Sequence, residues 1–374
     1  AATLRVNANT AEYANTARIH VNSTGFGFDN EANGDVNANN SNYVYVAIRR
    51  SHKTPENAAD VFQPDLKSSN QTITTNFPVD LCVVHYTGGG SPFWVDRMRS
   101  IFTDGTNHTQ RYLNSSGAAG EGNDTGTLGV KDFDSTSYEH SLGNYEQSTL
   151  AFKRAVGFFD IVAYAGNGVQ GRNIAHNLGV APDLMIVKNR EASTDFHTYV
   201  RGITHLSVYG SDPDSYGNNP ARLYLNADSD AEFSASGSWD HTHPTATHFR
   251  VGDTGGTNGN SANLIAYLFA TLNGISKVGS YSGTGSNINV DCGFTAGARF
   301  IMIKRTDSSG DWFYWHTALG INSGNDPYLR MNSSGSKVTN TDYIDPLNAG
   351  FTVTSSAPAA LNASGGTYLF FAIA

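Results

Sequence analysis

The densest group of metal-capable side chains is Asp240-His241-Thr242-His243, with Pro244 and then His248 close behind. Side chains alternate along a strand, so an HxH pair on one presents both imidazoles to the same side. One chain then offers two nitrogens from His241 and His243, fewer than the four ligands that close a zinc site. Three symmetry-related chains would offer six, enough for an octahedral transition-metal ion. Pro244 and the lack of a counterpart elsewhere in the chain favour a plain polar loop, and no cofactor is expected. The aromatic candidates are Trp94, Trp239, Trp312 and Trp315. An exposed indole in neutral, polar surroundings can stack on a sugar ring. Trp312 recurs as Phe93 and Phe196, which marks a packing position. Trp239 has no counterpart and Trp315 is answered only by Tyr199, so these two are the glycan-binding candidates.

Other motifs lack the context that their chemistry needs. Gly166-Asn167-Gly168-Val169-Gln170-Gly171 fits GxGxxG, but the third glycine must open a helix that receives a pyrophosphate. Here Arg172 to Asn177 leads to another turn at Leu178-Gly179, so a hairpin is expected. Gly252 to Asn260 offers oxygens and glycines but lacks the bidentate Glu of an EF-hand. Gly279-Ser280-Tyr281-Ser282-Gly283 has Tyr where a nucleophile elbow needs Ser. Glu121, Asp132, Asp134 and Glu139 cluster without singling out the facing pair that glycoside hydrolysis uses. No catalytic residue is expected, and the chain reads as a non-enzyme.

These residues must be held by something, and composition narrows what. Of 374 residues, 39% are hydrophobic and only 15% charged, against about 25% charged in an ordinary globular chain. The 20 Phe and 18 Tyr supply apolar surface that a disordered chain lacks. A net charge of −9 with scattered Lys and Arg excludes a phosphate-binding face, so no nucleic acid partner is expected. No apolar run approaches the ~20 residues of a membrane helix, and no membrane insertion is expected. The chain opens Ala1-Ala2-Thr3 without Met or a signal-peptide pattern, which reads as a processed chain or part of a longer one. Cys82 and Cys292 give no disulfide framework, and Cys82, inside an apolar run, reads as a small buried hydrophobe.

Internal repeats decide the architecture. The runs Leu81-Cys82-Val83-Val84, Leu184-Met185-Ile186-Val187 and Phe300-Ile301-Met302-Ile303 each hold four consecutive apolar residues between polar ones. Runs this short read as strands buried on both faces. Each is followed by an aromatic segment and then by Asn114, Asn226 or Asn332, which lie 112 and 106 residues apart. Apolar strands close the units at Asn263–Ala270 and Tyr368–Ala374, with a weaker version at Ser148–Phe152 and an extra one at Asn42–Ile48. The expected organisation is therefore residues 1–52 as the closing part of a preceding unit or an N-terminal strand segment, then β-sandwich repeats at 53–156, 157–273 and 274–374. The expected fold class is all-β: tandem, jelly-roll-like β-sandwich repeats with very little helix.

The last repeat carries the most specific pattern. It runs Ser276-Lys277-Val278-Gly279-Ser280-Tyr281, then Phe300 to Trp312, then Asn348-Ala349-Gly350-Phe351 and Leu361-Asn362-Ala363-Ser364-Gly365-Gly366-Thr367-Tyr368. This resembles an uncharacterised repeat domain of tail-fibre and other virion structural proteins of tailed bacteriophages. The likeness is close over 274–374, looser over 157–273 and faint over 53–156. It implies a structural or adhesive virion component, with other virion proteins and host surface polysaccharide as partners. The alternatives are a capsule-depolymerising tailspike, a carbohydrate-binding module or a capsid-decorating protein. It also implies a homo-oligomer, with a trimer favoured. Members usually have Asp near the position that His316 holds here, so no role is carried over for that carboxylate.

Overall fold

The computed structural model describes residues 19–21, 26–28, 40–46, 53–99, 101–103, 108–124, 130–131, 133, 135–140, 145–204, 218–233 and 237–374. Strand makes up 41% and helix 5%, so the chain is an all-β protein of sandwich-like repeats. Its larger sheets fall into three sets that share no strand. In the third set, Thr367–Ile373 lies between Ser276–Ser282 and Phe300–Arg305, and Phe313–His316 and Leu329–Arg330 complete the sheet. A smaller sheet of Ile288–Asp291, Gly350–Val353 and Ile344–Leu347 covers one face. The second set repeats this around Asn263–Phe269, the first around Gln147–Phe152. Among the described residues every strand pair is antiparallel, for instance Leu81↔Phe152, Leu184↔Phe269 and Phe300↔Ile373. These three pairs align the units residue by residue.

Alternation along the apolar runs explains their composition. Cys82 and Val84, Met185 and Val187, and Ile301 and Ile303 each point into their own unit's sandwich core. The residues between them, Leu81 and Val83, Leu184 and Ile186, and Phe300 and Met302, all enter one further core common to the three units. There the rings of Phe152 and Phe269 lie 5.7 Å apart, Phe269 and Phe371 5.1 Å, and Phe300 and Phe62 5.7 Å. Each of these contacts joins a different pair of units. The three larger sheets thus turn their second faces onto one another, and a continuous apolar run is what two apolar faces require.

Two expectations need adjustment. Asn42–Val46, read as a closing strand, forms no strand; Val44 and Val46 are exposed, at 100% and 87%. Ala47 and Ile48 lie outside the described residues. The ladders also pair Val84 with Phe93, Val187 with His197 and Ile303 with Phe313. Trp312 therefore corresponds to Phe196 and Pro92, one residue before the Phe93 expected.

Replacing Phe269, which meets rings from both neighbouring units, tests the shared core. Phe269→Ala is expected to cost about 3–5 kcal/mol, measured by urea unfolding, while the three units still unfold in one transition. Separate transitions for the units would contradict a common core.

Candidate functional site

One set of buried polar residues gathers where the units meet. Arg190, Thr306 and Thr87 each stand six residues after the residue that opens the apolar run, and their carbonyls accept the amides of Glu121, Ala231 and Lys337. In each case the donor comes from the loop that follows Asn114, Asn226 or Asn332 of another unit. The first unit reaches the second, the second the third and the third the first, so the three seams close a ring. Two residues earlier in the same strands stand His85, Lys188 and Lys304, all fully buried. Lys188 Nζ donates to the Ala118 carbonyl of the first unit at 3.0 Å, and Lys304 Nζ to Asp228 of the second at 3.2 Å. Burial lowers both ammonium groups to about 8. His85 Nδ1 instead meets Tyr314 Oη of the third unit at 3.1 Å.

The seam between the first and second units holds the densest charge. Arg99 is completely buried and pairs with Asp96 at 2.6 Å, and the Tyr267 hydroxyl donates to the same carboxylate at 2.7 Å. Glu121 receives Arg111 and Arg190, each at 2.8 Å, with Arg99 Nη1 at 3.5 Å. Burial alone would raise the Glu121 carboxyl, but the bond from Arg190 and the charge of Arg99 outweigh it and lower its pKa. Charges this buried persist because they are paired and hydrogen-bonded. Asp96 is the ladder counterpart of Val200 and His316.

The residues singled out from sequence are placed differently. Trp315 is fully buried and donates to the Asp326 carbonyl at 3.2 Å. Trp239 is 1% exposed and packs edge-on against Tyr199 at 6.1 Å. Neither offers a face to a sugar, because both fill sandwich cores. His241 ends a turn and His243 lies in the irregular segment after it, neither on a strand, and Asp240 and His241 have φ of 43° and 56°. Strand alternation therefore does not align the two rings. His243 spends Nδ1 on Tyr199 Oη at 2.9 Å and Nε2 on the Asn218 carbonyl at 2.7 Å, while Asn219 meets His241 Nδ1 at 3.1 Å.

Gly166–Gly171 is not the hairpin expected: it carries the chain from Phe159–Ala165 in the larger sheet to Arg172–Ala175 in the smaller one, two strands that do not pair, and no helix follows its third glycine. Asn258, from the loop weighed for calcium, donates to the Val169 and Gly252 carbonyls at 2.8 and 2.9 Å. Asn362 makes the matching pair with Ser286 and Thr354, each at 2.9 Å. This latch was missed in the sequence, although Asn258 and Asn362 stand at one repeat position. Glu139 lies on a strand opposite Thr72, and Asp132 and Asp134 lie outside the described residues. Cys82 and Cys292 are free and buried in different units.

Glu121→Gln leaves the buried Arg99 with Asp96 as its one carboxylate and is expected to cost about 3 kcal/mol in urea unfolding. A loss below about 1 kcal/mol would show that the cluster behaves as an exposed ion pair. Trp315→Ala is expected to lower stability by about 3–5 kcal/mol, and saccharide binding measured by calorimetry should not distinguish it from the parent. Residues 146–374, more than half of the chain, match the family model of a domain of unknown function, DUF7483. No curated protein matches the chain.

Proposed function

We propose that this chain, which belongs to the DUF7483 family, is a structural and adhesive component of a tailed-bacteriophage virion, most simply of a tail fibre or receptor-binding appendage. The observation that carries the reading is the ring: three sandwich units close on one another around a single aromatic core. Such a body resists deformation because its interior is close-packed from three directions. Low charge density suits lateral docking against other virion proteins, since few ions must be desolvated. Three units surround one core within a single chain, and assembly of that chain into a homotrimer is part of the same proposal.

A tandem array also fits the N-terminal residues, read as the closing part of a preceding unit. Ile19–Val21 pairs with Phe26–Phe28 through Ile19↔Phe28, matching Ile344↔Val353 in the third unit with the same nine-residue separation. Fourteen residues on in each case comes Asn42 or Thr367, and two before those, Asn40 and Gly365 share a left-handed φ of 61° and 77°. Val44 and Val46 are exposed where their counterparts Leu369 and Phe371 are buried.

Immunogold electron microscopy of virions from the source that encodes the chain tests the reading. Gold on the tail fibres is the expected result. Label on the head, or virions without label, would overturn it. Release of reducing ends from host polysaccharide by the purified chain would instead favour a depolymerase.

A further inference from the structure

Of the three seams, one has no chain across it among the described residues. The first and second units are joined through residues 153–158 and the second and third through 270–275, whereas the first and third meet by side chains and loops alone. That seam also differs in its polar groups. Where the second and third units carry Lys188 and Lys304, the first carries His85. Where the first carries Asp96 and the second Val200, the third carries His316. Both histidines are completely buried against the facing unit. His85 Nδ1 meets Tyr314 Oη at 3.1 Å, and His316 Nε2 meets Ser148 Oγ at 2.7 Å. The remaining nitrogens, His85 Nε2 and His316 Nδ1, are buried without a hydrogen-bond partner among the described residues, although the Gly90 backbone also faces the His85 ring.

We propose that the seam between the first and third units is an acid-released joint, at which protonation of His85 and His316 opens the ring while the units themselves stay folded. A neutral imidazole needs one acceptor and tolerates one idle nitrogen, whereas an imidazolium carries two N–H donors. At His316 the second donor would point into protein with nothing among the described residues to accept it, at His85 the Gly90 backbone offsets only part of the burial, and at both a charge would be buried besides. No carboxylate bonds either ring. The groups that face them are the Tyr314 and Ser148 hydroxyls, the Gly90 backbone beside His85, which favours its protonation, and the cations Arg330 and Lys337. Arg330 is held by Asp311 at 2.9 Å, and Lys337 by Glu146 of the first unit at 2.7 Å. These cations oppose protonation in the closed state.

Burial lowers His85 from 6.5 to about 4 and His316 to about 3, the latter with help from Lys337. Both folded values lie below the value in an open seam, so the open form binds more protons. Closure is then fully favoured above pH 6.5 and is lost as the pH falls toward 4. The Glu146–Lys337 pair also crosses this seam. Hydrogen bonding to Lys337 lowers the Glu146 carboxyl below its ordinary 4.5, so its own acid loss begins only as the pH falls past about 4.5, beneath the interval from pH 6 to pH 5. Other buried histidines stay within their units: His197 meets Ser238, His176 the Thr245 carbonyl and His140 the Ser69 carbonyl.

Hydrogen exchange of the whole chain, corrected for intrinsic rates, reads the two seams side by side. The amides of Gly90 and Lys337 report the first–third seam, bonded to the Ser334 and Thr87 carbonyls; those of Ala231 and Gly310 report the second–third seam. Between pH 6 and pH 5 the opening constant of the first–third seam is expected to rise about fifty-fold. The second–third amides and the strand Leu184–Asn189 should keep their protection. His85→Gln or His316→Gln should each cut the rise to about sevenfold. Equal loss at both seams in the unaltered chain, or a full rise in either variant that folds, would overturn the proposal.

Discussion

Everything in this molecule follows from a sheet with two apolar faces. The first four residues of the strands Leu81–Tyr86, Leu184–Asn189 and Phe300–Arg305 are all apolar, and polar residues come only at the ends. A smaller sheet covers one face of each, and the other face still needs cover, since apolar area left in water costs roughly 25 cal/mol per Å². The second faces are satisfied mutually, by arranging three units so that each covers the others. The ring is the consequence, and Phe62, Phe152, Phe269, Phe300 and Phe371 mark where the faces meet.

A shared core creates a polar problem at its rim, where strands end and loops cross from unit to unit. The solution recurs at one position: a carbonyl six residues into each run takes an amide from a neighbouring unit. The side chain two residues earlier varies, and the variation sorts the seams. Lysines reach across to carbonyls at two of them, and a histidine meets a tyrosine at the third. Arg99, Asp96, Glu121 and Arg190 add a buried ionic cluster between the first and second units. The seams are therefore equivalent in backbone and distinct in chemistry.

The strands and the all-β class were legible because alternation and turn chemistry are local signals. The four-residue apolar runs even announced that both faces would be buried, though not by what, since the covering residues lie a hundred or more positions away. Trp239 and Trp315 were misread for the same reason: lack of a repeat counterpart says nothing about burial, and each fills a sandwich core of its own unit. The HxH pair failed on backbone geometry, because Asp240 and His241 occupy left-handed turn positions that an alternating pattern does not reveal. The seam residues His85, Ser148, Tyr314 and His316 were invisible as a group, with hydrogen-bonded partners 229 and 168 residues apart.

If the second face of each sheet is what binds the units, no unit is complete alone. The direct measurement is made on residues 274–374 produced by themselves and examined by sedimentation and NMR. A chain that associates or lacks dispersed amide resonances, with Phe300, Met302 and Phe371 uncovered, is the result this account requires. A stable, well-dispersed monomer would contradict it, since that sheet would then tolerate water on the face that here meets the other two units.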